Sequence, residues 1–232
     1  MTEQRRTRKV IAIDGPSGVG KGTVARAIAD AFGYRHVDTG AMYRALAWRA
    51  IDLGLDVEDE PAVSAMAGRA DIVVANGQVS VDGVDVTSAI RTPQIDRAVT
   101  SVARMPSVRA VLVARQRAFG HEGGVVMEGR DIGTVVFPDA DVKIYLDASP
   151  DERARRRAAD PAHGGRGEAL ATVASAMADR DRIDSTRAAS PLMIAPDAVV
   201  VDTTGIAVPD VVAKVKAIID ATNLRAHSSR SS

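Results

Sequence analysis

At 232 residues the chain has length for one full α/β core with room for a small insert. Its 30 basic and 30 acidic side chains cancel, so no global field draws it onto nucleic acid or a membrane surface. It has no cysteine, which excludes disulfides, thiolate zinc sites and cysteine nucleophiles, and no run nears the ~20 apolar residues of a membrane span. The polar, basic start lacks the apolar stretch of a signal peptide, so the expected setting is soluble and cytoplasmic. Lysine stands only at 9, 21, 143, 214 and 216, so the basic residues are mostly arginine, the side chain suited to bidentate phosphate contacts.

In chain order, residues 1–8 read as a flexible basic tail and 9–58 as the first part of a core. Residues 10–14 form a buried parallel strand. Gly15-Pro16-Ser17-Gly18-Val19-Gly20-Lys21-Gly22-Thr23 follows, and a helix is predicted over 23–32 with Gly33 as its stop. Strand, glycine loop and helix in this order make a P-loop. Its glycines let successive N–H groups face phosphate oxygens, and the helix N-terminus adds partial positive charge. Lys21 adds a full charge where the β- and γ-phosphates would lie. The usual pattern puts Ser or Thr directly after the lysine; here Gly22 stands there and Thr23, the candidate near a metal ion, comes one residue later.

A short strand at 34–37 leads through Asp38-Thr39-Gly40 to a helix over 41–53. Residues 57–69 are acidic, then helical. Three short apolar runs, 72–74, 79–81 and 84–86, are separated by Asn76-Gly77 and Asp82-Gly83, both favoured hairpin turns. They predict a three-stranded antiparallel meander within an insert at 59–105. Helices are expected over 92–104 and 106–119, the second with Pro106 in its first turn. The core resumes over 106–159. Residues 124–128 return to the sheet, and 129–133 form a loop at the strand's C-terminal end, the edge where open α/β sheets bind ligands. A strand at 142–146, a helix to 159 opened by Ser149-Pro150, a loose segment at 160–167, a charged helix over 168–184, a strand at 198–201 and a helix over 208–221 complete the core, which ends at 222. Residues 223–232 read as a disordered tail. The fold class is α/β: a P-loop NTPase-type parallel sheet with helices on both faces and a small antiparallel insert.

Gly-Lys-Gly-Thr at 20–23 resembles the nucleoside monophosphate kinases. Four further segments narrow the likeness. Asp38-Thr39-Gly40-Ala41-Met42-Tyr43-Arg44 comes first, then Val99-Thr100-x-Val102-Ala103-x-x-Pro106-x-Val108-Arg109. Glu128-Gly129-Arg130-Asp131-Ile132-Gly133-Thr134-Val135-Val136-Phe137-Pro138 follows, and last Arg180-Asp181-Arg182-x-Asp184-x-x-Arg187-x-x-Ser190-Pro191-Leu192. In this order they resemble the bacterial cytidylate kinases from about 10 to 219. The resemblance implies transfer of a phosphoryl group from ATP, with magnesium, to CMP or dCMP. It makes 59–105 the nucleoside monophosphate insert and 160–167 a short lid. The chain is expected to be a monomer with no nucleic-acid or membrane partner.

Cytosine offers an amino donor at N4 and acceptors at N3 and O2, so a selective pocket needs acceptors facing one and a donor facing the other. Asp131 and Thr100 can accept and Arg109 can donate, and the family uses the matching positions in this way. Uracil reverses the pattern. Each buried unpaired group costs roughly 1–3 kcal/mol, so two mismatches give about a hundredfold discrimination or more. By resemblance Arg44, Arg130 and Arg187 hold the acceptor phosphate, Arg180 and Asp184 reach the sugar hydroxyls, and Thr39 lines the same pocket. Residues 15–23 hold the ATP phosphates. Lys21, Arg130 and Arg187, with Arg153 and Arg157 from the lid flank, are expected to act on the transferring group. Glu128 is read as orienting Arg130 or a magnesium-bound water. Two alternatives stay open: a broader pyrimidine kinase that also takes UMP, and a P-loop regulatory or nucleic-acid-binding module, which the neutral charge argues against. His36, His121, His163 and His227 are read as ordinary surface or loop, Arg115 and Arg117 as surface, and Trp48 as core.

Overall fold

The computed structural model describes residues 8–75, 77–160 and 169–228. Expectations for 1–7, for Asn76, for 161–168 (most of the lid segment) and for 229–232 lie outside the described residues.

Strand β1 (Val10–Asp14) feeds the glycine loop and helix α1 (Lys21–Phe32) leaves it. The helix begins at Lys21 rather than Thr23 because Gly20, at φ 90°, turns the chain directly into it. Strand β2 (Arg35–Asp38) leads into α2 (Thr39–Asp52), whose start also precedes the expected one: the Asp38 carboxylate caps it by accepting from the Ala41 N–H at 3.0 Å. Helix α3 (Glu60–Arg69) precedes the meander of β3 (Ile72–Ala75), β4 (Gln78–Val81) and β5 (Val84–Asp85), antiparallel as predicted. Helices α4 (Pro93–Arg104) and α5 (Pro106–Phe119) return to the core. Strand β6 (Val125–Gly129) is followed by a single π-helical turn, Ile132–Val136. Then come β7 (Val142–Asp147), α6 (Pro150–Ala159), α7 (Leu170–Thr186), β8 (Val199–Asp202) and α8 (Val208–Ser228). The last helix runs on to Ser228, past the expected end at 221.

The main sheet has the order β2-β6-β1-β7-β8, all parallel. Side chains alternate across it. Ile11, Ile13 and Val126 join Val24 and Ile28 of α1 and Val211, Val215 and Ile219 of α8 in one core. Ala12, Val37, Val125 and Met127 join the other, with α2, α5 and the insert. Val74, Val79 and Val81 belong to that second core, so the meander is packed onto α2 rather than standing apart. Trp48 packs at the same core's margin, as expected. Arg115 and Arg117 are more than surface: Arg115 donates to the carbonyls of Ala70 (2.7 Å) and Ala67 (2.9 Å), tying α5 to α3, and Arg117 donates to those of Val135 (2.7 Å) and Val136 (3.0 Å).

Candidate active site

Parallel strands deliver their C-terminal ends to one edge, and β1 opens there into the glycine loop between β6 and β7. Gly15 permits a close approach: a Cβ there would stand 2.1 Å from the Leu146 carbonyl oxygen. Lys21 is buried and its ammonium donates to the Pro16 carbonyl within the loop at 2.6 Å. Burial pushes it down to about 7, with Arg130 acting the same way and Glu128 and Asp14 opposing.

The loop is braced from behind by arginines of α6. Arg153 donates to the carbonyls of Ser17 (3.3 Å) and Ala148 (3.1 Å) and pairs with Asp181. Arg156 donates to the Thr203 carbonyl at 2.6 Å and to its hydroxyl at 2.9 Å. Arg157 instead points toward α4, 3.1 Å from Asp96. The expected pair Arg153 and Arg157 is thus divided: Arg157 lines the cleft, and Arg153 is committed to the loop's backbone.

Gly22 has a spatial reason. A Cβ at this position would lie 3.2 Å from Glu128 Oε1, so the carboxylate takes up the space beside the loop where a side chain would stand. His36 Nε2 lies 2.9 Å from the same oxygen. The expectation that His36 is ordinary surface is corrected: β2 and β6 place Asp38 opposite Glu128, and His36 joins them at the sheet edge. Burial raises the Glu128 carboxyl, with Asp38 adding to the effect, while His36 and Lys21 oppose it.

A cleft of about 1000 Å³, ample for nucleotide-sized ligands, joins residues 17–24 to Thr39, Arg44, Arg130, Asp131, Arg157 and Arg180. Thr23 is exposed on this wall. Thr39 is buried and donates to the Glu128 carbonyl at 2.7 Å. At the far end Arg109 and Asp131 form a buried ion pair, and the Arg109 guanidinium lies over the Tyr43 ring, 5.3 Å from its centroid. Arg187 stands 3.8 Å from Asp131 and 3.7 Å from Asp184, and its Nη2 is buried with no hydrogen-bond partner among the described residues. Arg130 Nε donates to Asp184 at 3.0 Å. Burial would raise the Asp184 carboxyl, but the charges of Arg130, Arg180 and Arg187 outweigh it and hold the group below the usual carboxylate range. Thr100, on α4, donates to the Asp96 carbonyl at 3.3 Å, which leaves its oxygen lone pairs to accept.

Two residues that sequence reasoning passed over organise this end. Asp14, buried, accepts from the N–H groups of Ile132 (2.8 Å) and Gly133 (2.7 Å), fixing the turn that follows Arg130 and Asp131. An acid closing an apolar strand at the ligand edge was the signal available for it. Asp96 gathers Arg44, Arg157 and Arg180, and no motif marks it.

Residues 11–221 match the family model for cytidylate kinase. The chain belongs to the cytidylate kinase family. A cytidylate kinase from Pelotomaculum thermopropionicum is 49% identical over 216 residues, covering 91% of this chain and 96% of that one. One from Geobacillus thermodenitrificans is 49% identical over 217 residues, with 92% and 97% covered. One from Solibacter usitatus is 46% identical, with 91% and 92% covered. Among solved structures, an uncharacterized protein from Eubacterium ventriosum shares the fold at a TM-score of 0.54 and 14% identity, over 92% of this chain and 99% of that one. A gluconokinase from Sinorhizobium meliloti does so at 0.50 and 14%, over 97% and 98%. At such identity these two bear on the fold alone. The matched residues include both ends of the cleft, the glycine loop and the arginine-rich end.

Proposed function

We propose that the protein transfers the γ-phosphoryl group of ATP to CMP or dCMP, giving ADP and CDP or dCDP. The observation that carries this reading is the buried Arg109–Asp131 pair, with Asp131 on the wall of a cleft that begins at the glycine loop; Thr100 of α4 would supply a second acceptor. A fixed donor and two acceptors suit the cytosine edge and oppose that of uracil. Family membership supports the same substrate.

The acceptor phosphate is itself the nucleophile and is already ionised, so no general base is needed. The barrier lies in bringing two anions together, and arginines relieve it. Arg44, Arg130 and Arg187 would hold the acceptor phosphate, with Arg157 beside them. Arg180 and Asp184 would meet the sugar. Lys21, now bonded to Pro16, would turn to the β- and γ-phosphates, whose charge favours its protonated form. Arg153 holds the loop in shape and serves through it.

Magnesium would arrive with ATP. No three carboxylate or imidazole groups converge to hold a metal among the described residues, so the nucleotide's own oxygens and water would supply most of its ligands. The Glu128 carboxylate beside Gly22 fits a role as acceptor for metal-bound water, and Thr23 lies on the same wall. Bound there, the ion would neutralise charge on the phosphates. No described helix is long and apolar enough to cross a membrane. We further propose that the protein works as a cytoplasmic monomer; its zero net charge argues against a nucleic-acid partner.

ADP release with CMP, dCMP, UMP and AMP as acceptors tests the proposal. CMP or dCMP should give the highest kcat/KM. UMP or AMP exceeding CMP tenfold would overturn the cytosine pocket, and UMP equal to CMP would make the enzyme a broader pyrimidine kinase.

A further inference from the structure

Three arginines from three different elements meet one carboxylate that no motif contains. Arg44 of α2 pairs with Asp96 of α4; Arg157 of α6 stands 3.1 Å from its Oδ2 and Arg180 of α7 stands 3.9 Å from its Oδ1. Arg44 and Arg180 are among the residues assigned above to the incoming nucleotide. We propose that Asp96 is a built-in surrogate anion: it fills the proposed acceptor-phosphate cradle and would be displaced when CMP binds.

The electrostatics of the cradle favour this exchange. Arg180 is pushed down to about 10 by burial and by the charges of Arg130 and Arg44, a mark of crowded cations short of counter-charge. Burial also lowers Arg157, with Asp96 opposing. One carboxylate brings a single negative charge to this cluster, whereas a phosphate monoester brings about two and three strong acceptor oxygens. The better anion should win, and the arginines need little rearrangement. Arg44 keeps its aim when Asp96 leaves because its Nη1 donates separately to the Ile90 carbonyl at 3.0 Å.

Asp96 also differs from the other acids of the site. The side chains of Asp131 and Asp184 are only 7% and 10% exposed, whereas that of Asp96 is 23% exposed. It sits one helical turn before Thr100, whose hydroxyl donates to the Asp96 carbonyl. A shift of α4 that withdraws the carboxylate therefore moves a base-reading hydroxyl as well, coupling phosphate arrival to base recognition. The consequence is a lowered apparent affinity for acceptor, because the surrogate must first be expelled.

This inference rests on the proposed acceptor site, so its test separates the two. Binding of CMP, cytidine and inorganic phosphate is measured calorimetrically on the wild type, Asp96→Asn and Asp96→Ser, with KM and kcat for CMP and unfolding temperatures. Both variants should bind CMP and inorganic phosphate about threefold to tenfold more tightly than the wild type, with cytidine affinity unchanged. KM for CMP should fall while kcat does not rise. The variants should also melt at a lower temperature in phosphate-free buffer, because Arg44, Arg157 and Arg180 then lack this counter-ion, and phosphate should restore it. Weaker or unchanged CMP and phosphate binding, or equal gains for cytidine and CMP, would overturn the surrogate role and leave Asp96 as a structural brace. A wild type that binds phosphate but neither CMP nor cytidine would sink the cytosine reading instead, and the phosphate comparison would still decide Asp96.

Discussion

Lys21 shows how one residue's burial sets a measurable proton balance. Its ammonium is pushed down to about 7, chiefly by burial and then by Arg130. A triphosphate at the loop brings opposite charge and raises it again. At pH 8 the free side chain is mostly neutral and the bound one charged, so ATP binding should take up on the order of one proton. Uptake on binding means affinity falls as pH rises above about 7. Calorimetry at pH 8 in two buffers of different ionisation enthalpy reads the proton directly, and no buffer dependence would remove Lys21 from the phosphates. The sign for stability follows the same linkage. The unfolded chain binds more protons between about 7 and 10.5, so the cost of burying this charge is full below 7 and is relieved as pH rises through that window. Lys21 itself was legible because its spacing from the glycines is local. Asp96 was not: its partners Arg44, Arg157 and Arg180 lie far away along the chain and only the assembled fold joins them. Arg153 and Arg157 could not be told apart for a related reason, since helical spacing gives a shared face but not what stands before each residue.

At the scale of elements, Asp14 is the pin between β1 and the turn after β6. Its two oxygens accept from Ile132 and Gly133, and the residues just before them are Arg130 and Asp131. Asp14→Asn replaces one acceptor with an amide donor facing a buried N–H. The lost bond should cost about 1–3 kcal/mol, which appears as a tenfold to hundredfold lower kcat/KM for CMP, with ATP affinity changed less. Equal losses for both substrates would show the pin serving the whole core rather than the acceptor side. The same residue has a pH signature. Burial raises its carboxyl to about 6, against the two backbone bonds, so the folded state holds the extra proton between 3.8 and about 6. Its contribution therefore declines as pH rises through that window, and wild-type stability relative to Asp14→Asn should fall from pH 4 to pH 6. A constant difference in chemical denaturation would contradict the burial argument. The strands, hairpins and most helices were readable because apolar runs and turn dipeptides are local signals, whereas the strand order emerged only in the assembled sheet. Helix starts at Lys21 and Thr39 were set by the Gly20 turn and the Asp38 cap, and the π-helical turn by Asp14, a partner 118 residues away.

Across the whole molecule, the proposed acceptor site draws on α2, α4, α5, the β6 edge, α6, α7 and the segment after α7, so a ligand bound there would tie the insert to the core. Anything that binds only the folded state stabilises it by RT ln(1 + [L]/Kd). CMP at a hundred times its Kd should contribute about 2.7 kcal/mol, or roughly 5–10 °C for a chain of this size. If the Arg109–Asp131–Thr100 arrangement discriminates by about a hundredfold, UMP at the same concentration stands near its own Kd and contributes only about 0.4 kcal/mol. That is a shift of about 1 °C. Thermal unfolding with each nucleotide, without ATP, measures this difference. Equal shifts for CMP and UMP would mean that the pocket reads the phosphate and sugar but not the base. Because no phosphoryl transfer occurs in this experiment, a selective shift would locate discrimination in the pocket's own donors and acceptors, before any chemistry at the glycine loop.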